Sequence, residues 1–313
     1  MPFLDSDAVH AALPMRDAVR ALQQALRDGL SPEADPPRGV LPVDNGQLLL
    51  MPAHGRAYAG VKVATVAPGN PARGLPRIQG RYLLLCAETL TPLATLDGIA
   101  LTDIRTAAVS AAAADLLAPR DASRLVLFGG GPQARSHLRA LHAVRPITRV
   151  TVVGRTPDRA RTLARGLPDI SGVRVDTGGP EAVASADLVA CCTTATTPLF
   201  DGDLLPPHAT VVAVGSHEPG AREVDTRTVL RSTVVVEAVS AATREAGDIV
   251  QVIREGLLDP AALVPLADLA RGAALPVDGR PRLFKSVGMA WEDLVLAGAA
   301  YEAGRARPVR GNR

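Results

Sequence analysis

Only two of the 34 basic residues in this 313-residue chain are lysines, Lys62 and Lys285. Arginine supplies the positive charge everywhere else, so a retained ammonium invites a chemical reason: it is a compact donor whose pKa moves readily on burial. A second chemical signal is Gly129-Gly130-Gly131-Pro132-Gln133-Ala134, a G-x-G-x-x-A directly after the apolar run Leu125–Phe128. Gly129 suits a tight turn, and Gly131 lets the backbone approach a pyrophosphate. Pro132 and Gln133 open a helix whose unpaired N–H groups face the phosphates, and Ala134 allows helix and strand to pack closely. About 25 residues further on, where an NAD-binding chain carries an acidic residue, stand Arg155 and Thr156, with Arg159 one turn later. Guanidinium and hydroxyl groups there suit a 2′-phosphate, so NADP(H) is expected over NAD(H). Cys86, Cys191 and Cys192 have no ligand or disulfide spacing, and the six histidines are scattered, so no metal site is expected.

The elements that must position these residues read as two kinds of fold. Residues 14–30 form an amphipathic helix with Ala18, Leu22, Ala25 and Leu26 on one face. Strand-like runs follow at 48–51, 58–66 and 82–86, then an Ala-rich helix over 101–118 that Pro119 ends. From Ser123 the pattern alternates: short apolar strands at 125–128, 150–153, 173–175, 187–192, 210–214 and 233–237, separated by helical segments. Buried strands joined this way imply a parallel, doubly wound sheet. The fold class expected is therefore α/β, a Rossmann-type dinucleotide-binding domain over 120–285 plus an α+β domain over 1–119. A last helix over 288–303 is expected to return to the first domain, which residues 286–313 rejoin, and RARPVRGNR reads as a frayed tail. Lys+Arg 34 against Asp+Glu 32, with 3% aromatics, argues against nucleic acid as a partner. No apolar stretch reaches membrane-spanning length and no leader is read at the start; with unpaired cysteines, a cytoplasmic location is expected.

In order along the chain, PPRGVLP, LLLMPAHG, YAGVKVATVAPGNPARGLPRIQG, LTDIRTAAVSA, the GGGPQA turn, AVGSHEPGAREVD, EAGDI and LFKSVGMAWEDL resemble the ornithine cyclodeaminase/mu-crystallin family. The resemblance implies a Rossmann domain, an α+β domain forming the substrate site and a homodimer interface, and a nicotinamide cofactor. It places Arg38, Lys62 and Arg105 around a substrate carboxylate, for which arginine offers a bidentate fork. Lys62 is the candidate for proton transfer, since a partly buried ammonium gives up its proton more readily. Met51 is expected to line either the pocket or the core. Thr106, Thr193, Thr194, Val214, Ser286 and Gly288 are expected near the cofactor, together with the GGGPQA turn. Asp293 and Glu292 read as cap or surface charges. One departure stands out: His217 occupies the position where cyclodeaminases and alanine dehydrogenases of the family carry a catalytic aspartate. His217 is a candidate acid, because imidazole titrates in the right range, or a lid residue. The resemblance thus implies reduction of a small cyclic imine or α-imino acid (ketimine) to an amino acid. Ornithine cyclodeamination, alanine-dehydrogenase-like oxidation and a crystallin-like binding protein are the alternatives.

Overall fold

The computed structural model describes residues 1–167, 170–275 and 279–306. Its first elements are β1 (Phe3–Leu4), α1 (Ser6–Ala12), α2 (Met15–Arg27), β2 (Gly39–Val43), β3 (Gly46–His54), β4 (Tyr58–Val66), β5 (Ile78–Cys86), β6 (Pro92–Asp97) and α3 (Gly98–Leu117). After these come β7 (Arg124–Phe128), α4 (Pro132–Val144), β8 (Arg149–Val153), α5 (Pro157–Arg165), β9 (Arg174–Gly178), β10 (Leu188–Cys191) and β11 (Thr210–Ala213). The chain continues through α6 (Thr226–Arg231), β12 (Thr233–Val236), α7 (Val239–Glu245), α8 (Gly247–Arg254), β13 (Val264–Pro265), α9 (Leu266–Ala270), β14 (Arg282–Lys285) and α10 (Ala290–Ala306). Two compact units result, one from the described residues of Met1–Arg105 and Met289–Arg313, the other from those of Thr106–Gly288. The division falls inside α3, between Arg105 and Thr106, rather than at its end near residue 119 where the sequence pattern changes. The tail from residue 307 lies outside the described residues.

In the first unit six strands pair in the order β1-β6-β5-β4-β3-β2, antiparallel except for β1 with β6. Side chains alternate between the two faces of such a sheet. Met51, Ala53, Lys62, Ala64, Tyr82 and Leu84 are buried on one face, which α10 helps to cover while also packing on α1 and α2. The opposite face leaves Leu41, Leu50 and Val63 exposed. Asp97 starts α3 by accepting from the Ile99 and Ala100 amides at 2.9 and 3.0 Å.

The second unit is a Rossmann-type parallel sheet of eight strands, in the order β13-β12-β14-β11-β10-β7-β8-β9. Six of them match the expected runs. The other two, β13 and β14, have two and four residues, and β14 (RLFK) begins and ends on a charge, so neither stands out as an apolar run. β14 sits between β11 and β12, which places Lys285 at the carboxyl end of the sheet. Among the described residues no helix is long and apolar enough to cross a membrane.

Candidate active site

Met51, Lys62 and Tyr82 form one row across β3, β4 and β5, because Lys62 is the register partner of both neighbours. Lys62 is 3% exposed. Its Nζ donates to Asp293 Oδ2 at 2.7 Å and to Thr102 Oγ1 at 3.3 Å. Arg105, on the same turn-spaced face of α3 as Thr102, donates from Nη1 to Glu292 Oε2 at 2.8 Å, and its Nε lies 3.6 Å from Asp293 Oδ1. Asp293 and Glu292 are fully buried in the first turn of α10. They are not surface charges; Glu292 does act as a cap, its Oε1 accepting the Met289 amide at 3.2 Å ahead of α10, while its other oxygen holds Arg105. A buried cation needs a counter-ion, and these two carboxylates supply it. Burial, then the neighbouring Arg105 charge, lowers the Lys62 pKa from 10.5 to about 8, with Asp293 pulling the other way. Burial and the nearby Asp293 and Asp35 carboxylates push the Tyr82 hydroxyl above the ordinary tyrosine range. Arg38 is half-buried immediately before β2, whose first pair, Gly39–Leu50, adjoins Met51. Lys62, Arg105 and Met51 are therefore brought together within the first unit, with Arg38 at the end of the adjoining ladder.

In the second unit, Gly129 has φ +104°, a conformation that glycine adopts without strain. A Cβ there would collide with the Cys192 carbonyl, so the turn after β7 lies directly against the segment after β10. Gly131 is the N-cap of α4 with no side-chain cap, Pro132 is its first residue, and a Cβ on Gly131 would meet nothing within 4 Å. Open space above an uncapped helix N-terminus is what a phosphate requires. Ala134 is fully buried and Gln133 half-buried. After β8, Arg155 and Arg159 are exposed, and the Thr156 hydroxyl accepts the Arg159 amide at 3.3 Å as the N-cap of α5. Thr106 is buried on α3, and its carbonyl accepts the Ser110 hydroxyl at 3.0 Å. His217 is exposed, next to Ser216.

The strand ends at this edge are joined by buried charges. Glu223 Oε1 accepts from the Thr193 amide (2.8 Å) and hydroxyl (2.7 Å), and Oε2 from the Gly215 amide (2.7 Å). Asp248 Oδ1 accepts the amides of Glu223 and Val224 at 2.6 and 2.9 Å. Lys285 Nζ donates to the Ser216 carbonyl at 2.7 Å and lies 3.0 Å from Asp248 Oδ2. Glu237 accepts from the Ser286 hydroxyl (2.7 Å) and the amides of Val287 (2.9 Å) and Gly288 (3.2 Å). Thr194 is exposed beside Thr193, and the Val214 amide extends the ladder to the Cys191 carbonyl at 3.1 Å.

The model of the ornithine cyclodeaminase/mu-crystallin family matches residues 3–307. The chain belongs to that family. Its relatives in the family include a Delta(1)-pyrroline-2-carboxylate reductase of Bacillus cereus, 37% identical over 277 residues and covering 85% of each chain. The Delta(1)-pyrroline-2-carboxylate/Delta(1)-piperideine-2-carboxylate reductase of Azospirillum brasilense is 35% identical over 98% of this chain and 97% of that one. The solved structure of the Thermococcus litoralis Delta(1)-pyrroline-2-carboxylate reductase, in complex with NADH and L-proline, matches with a TM-score of 0.91 and 30% identity over the whole of both chains.

For this member of the ornithine cyclodeaminase/mu-crystallin family, sequence reasoning missed five carboxylates: Glu223, Glu237, Asp248, Glu292 and Asp293. A signal was present for two of them. Glu292 and Asp293 stand in LFKSVGMAWEDL, and a chain that keeps only two lysines needs buried partners for any it buries. The other three look like ordinary loop or helix-start acids, and only the fold shows which backbone amides they reach.

Proposed function

We propose that this chain is an NAD(P)H-dependent reductase that converts a small cyclic imine or α-imino acid into the corresponding amino acid. The observation that carries the reading is the Lys62–Asp293 and Arg105–Glu292 pairing, which holds a lysine of depressed pKa beside a guanidinium. Arg105 and Arg38 are the guanidinium groups whose fork geometry suits a substrate carboxylate. Asp293 and Thr102 engage two of the three Lys62 donors; the third is available to the imine nitrogen. Lys62 gives its proton there as the α-carbon is reduced, and Asp293 holds the ammonium in place until it does. Met51, beside Lys62, offers an apolar wall to the substrate ring.

The Gly129–Ala134 turn, the open N-terminus of α4 and the Thr193, Thr194, Val214, Ser286 and Gly288 backbone would hold the dinucleotide; bound there, reduced nicotinamide supplies the hydride. Arg155 and Arg159 favour NADP(H), and Thr156 shapes their loop as its cap. The outward apolar face of β2–β4 supports a homodimer.

The relatives named above support the imine substrate class. Replacement of the family aspartate by His217 favours it over ornithine cyclodeamination, since a neutral or cationic imidazole offers no carboxylate to a second amino group. The test supplies NADPH with pyrroline-2-carboxylate and piperideine-2-carboxylate, and separately ornithine with NAD. NADPH oxidation with either imine and negligible ammonia and proline from ornithine is the expected outcome. Robust proline release would restore the cyclodeaminase reading, and no turnover with any imine would leave a binding protein.

A further inference from the structure

We infer that Glu223 is a positioning residue for the nicotinamide end of the cofactor, acting through the two loops that follow β10 and β11. This rests on the proposed dinucleotide site and extends it. Glu223 is fully buried, yet it makes none of its three hydrogen bonds within its own segment. All go to Thr193, after β10, and Gly215, after β11. A carboxylate with two backbone amides and one hydroxyl on its two oxygens fixes the spacing of those loops in a way that a neutral side chain does not.

The grip extends in both directions. A Cβ on Gly215 would collide with the Thr193 carbonyl, so the two loops are already at closest approach and Gly215 permits it. Cys192, one residue before Thr193, presses its carbonyl on Gly129 of the dinucleotide turn. On the other side Asp248 fixes the Glu223 amide and meets Lys285, whose Nζ holds the Ser216 carbonyl next to His217. The retained lysine is thus explained: a guanidinium has no single point donor to place between one carbonyl and one carboxylate oxygen. Burial raises the Glu223 pKa, while Lys285 and the three donors pull it back.

Glu223→Gln keeps the shape and loses the fit, because its amide group must turn a donor toward the N–H of Thr193 or Gly215. The test compares two probes. NADPH reports on the whole cofactor through the fluorescence enhancement of its nicotinamide ring; adenosine 2′,5′-bisphosphate reports on the adenosine end alone. Glu223→Gln is expected to raise the NADPH Kd about tenfold and to diminish the enhancement, with the adenosine 2′,5′-bisphosphate Kd unchanged. Equal weakening of both probes, or of neither, overturns the assignment. Failure of the wild-type chain to bind either probe instead overturns the dinucleotide reading itself. If Glu223→Gln does not fold, Thr193→Val removes one of the three donors; it is expected to shift the same two readouts apart by a smaller factor, and equal shifts overturn the assignment.

Discussion

A lysine can be both a substrate anchor and an acid only if its surroundings hold its proton loosely, and Lys62 meets that condition. The proton-donor role proposed for Lys62 predicts that imine reduction falls about tenfold per pH unit above about 8, two and a half units below where an ordinary lysine would lose its proton. The stability consequence has the opposite sign. Below pH 8 both folded and unfolded chains carry the proton; between about 8 and 10.5 only the unfolded chain does, so this residue favours folding more as pH rises. A kcat/KM profile flat through pH 9 would remove Lys62 from the proton-donor role. Lys62→Ala and Arg105→Ala should each abolish turnover and leave NADPH affinity nearly unchanged, as titration of the nicotinamide fluorescence would show. Arg155→Asp tests the adenosine end: the preference for NADPH over NADH should reverse, each charge-assisted contact being worth about 1.5–3 kcal/mol, and equal Kd values in the wild type would refute it. Lys62 and the glycine turn stand out in the sequence because their types are chemically distinctive; Arg105, one of 32 arginines, is singled out only by the family resemblance. Asp293 and Glu292 do not stand out, because an acid in the first turn of a helix is also what the helix dipole favours.

At the scale of elements, the sequence pattern locates six of the eight parallel strands and the two long helices α3 and α10 to within a few residues. β14 escaped because its identity depends on what pairs with it rather than on its own four residues. The same dependence appears in the packing of α3 on α4. His137 Nδ1 donates to the Gln133 carbonyl at 2.7 Å, and Nε2 lies 2.9 Å from Ser110 Oγ, tying one helix to the other inside the second unit. Burial lowers its pKa from 6.5 to about 4. The folded chain keeps this imidazole neutral while the unfolded chain takes up a proton below pH 6.5, so stability is lost as pH falls from 6.5 toward 4. At pH 5 the loss is about 2 kcal/mol, from 1.36 kcal/mol per pH unit. Urea unfolding of wild type and His137→Gln at pH 7 and pH 5 measures it: the variant should lose less on acidification, and parallel losses would contradict the prediction.

For the whole molecule, the outward face of the first sheet carries the remaining expectation. Leu50 is the register partner of Val63, and both are exposed. Leu50→Asp should convert a dimer to a monomer in sedimentation, whereas an unchanged mass would place the contact elsewhere. The described residues from Met289 onward group with the first unit and bring the counter-ions with them. Lys62 and Asp293 are 231 residues apart. At the roughly 5–20 residues per second of synthesis, Lys62 and Arg105 leave the ribosome well before either carboxylate exists, Lys62 by roughly 10–50 s. During that interval, burying the two cations would be strongly opposed. The first unit therefore cannot complete its core as it is made; it waits for α10, which carries both carboxylates.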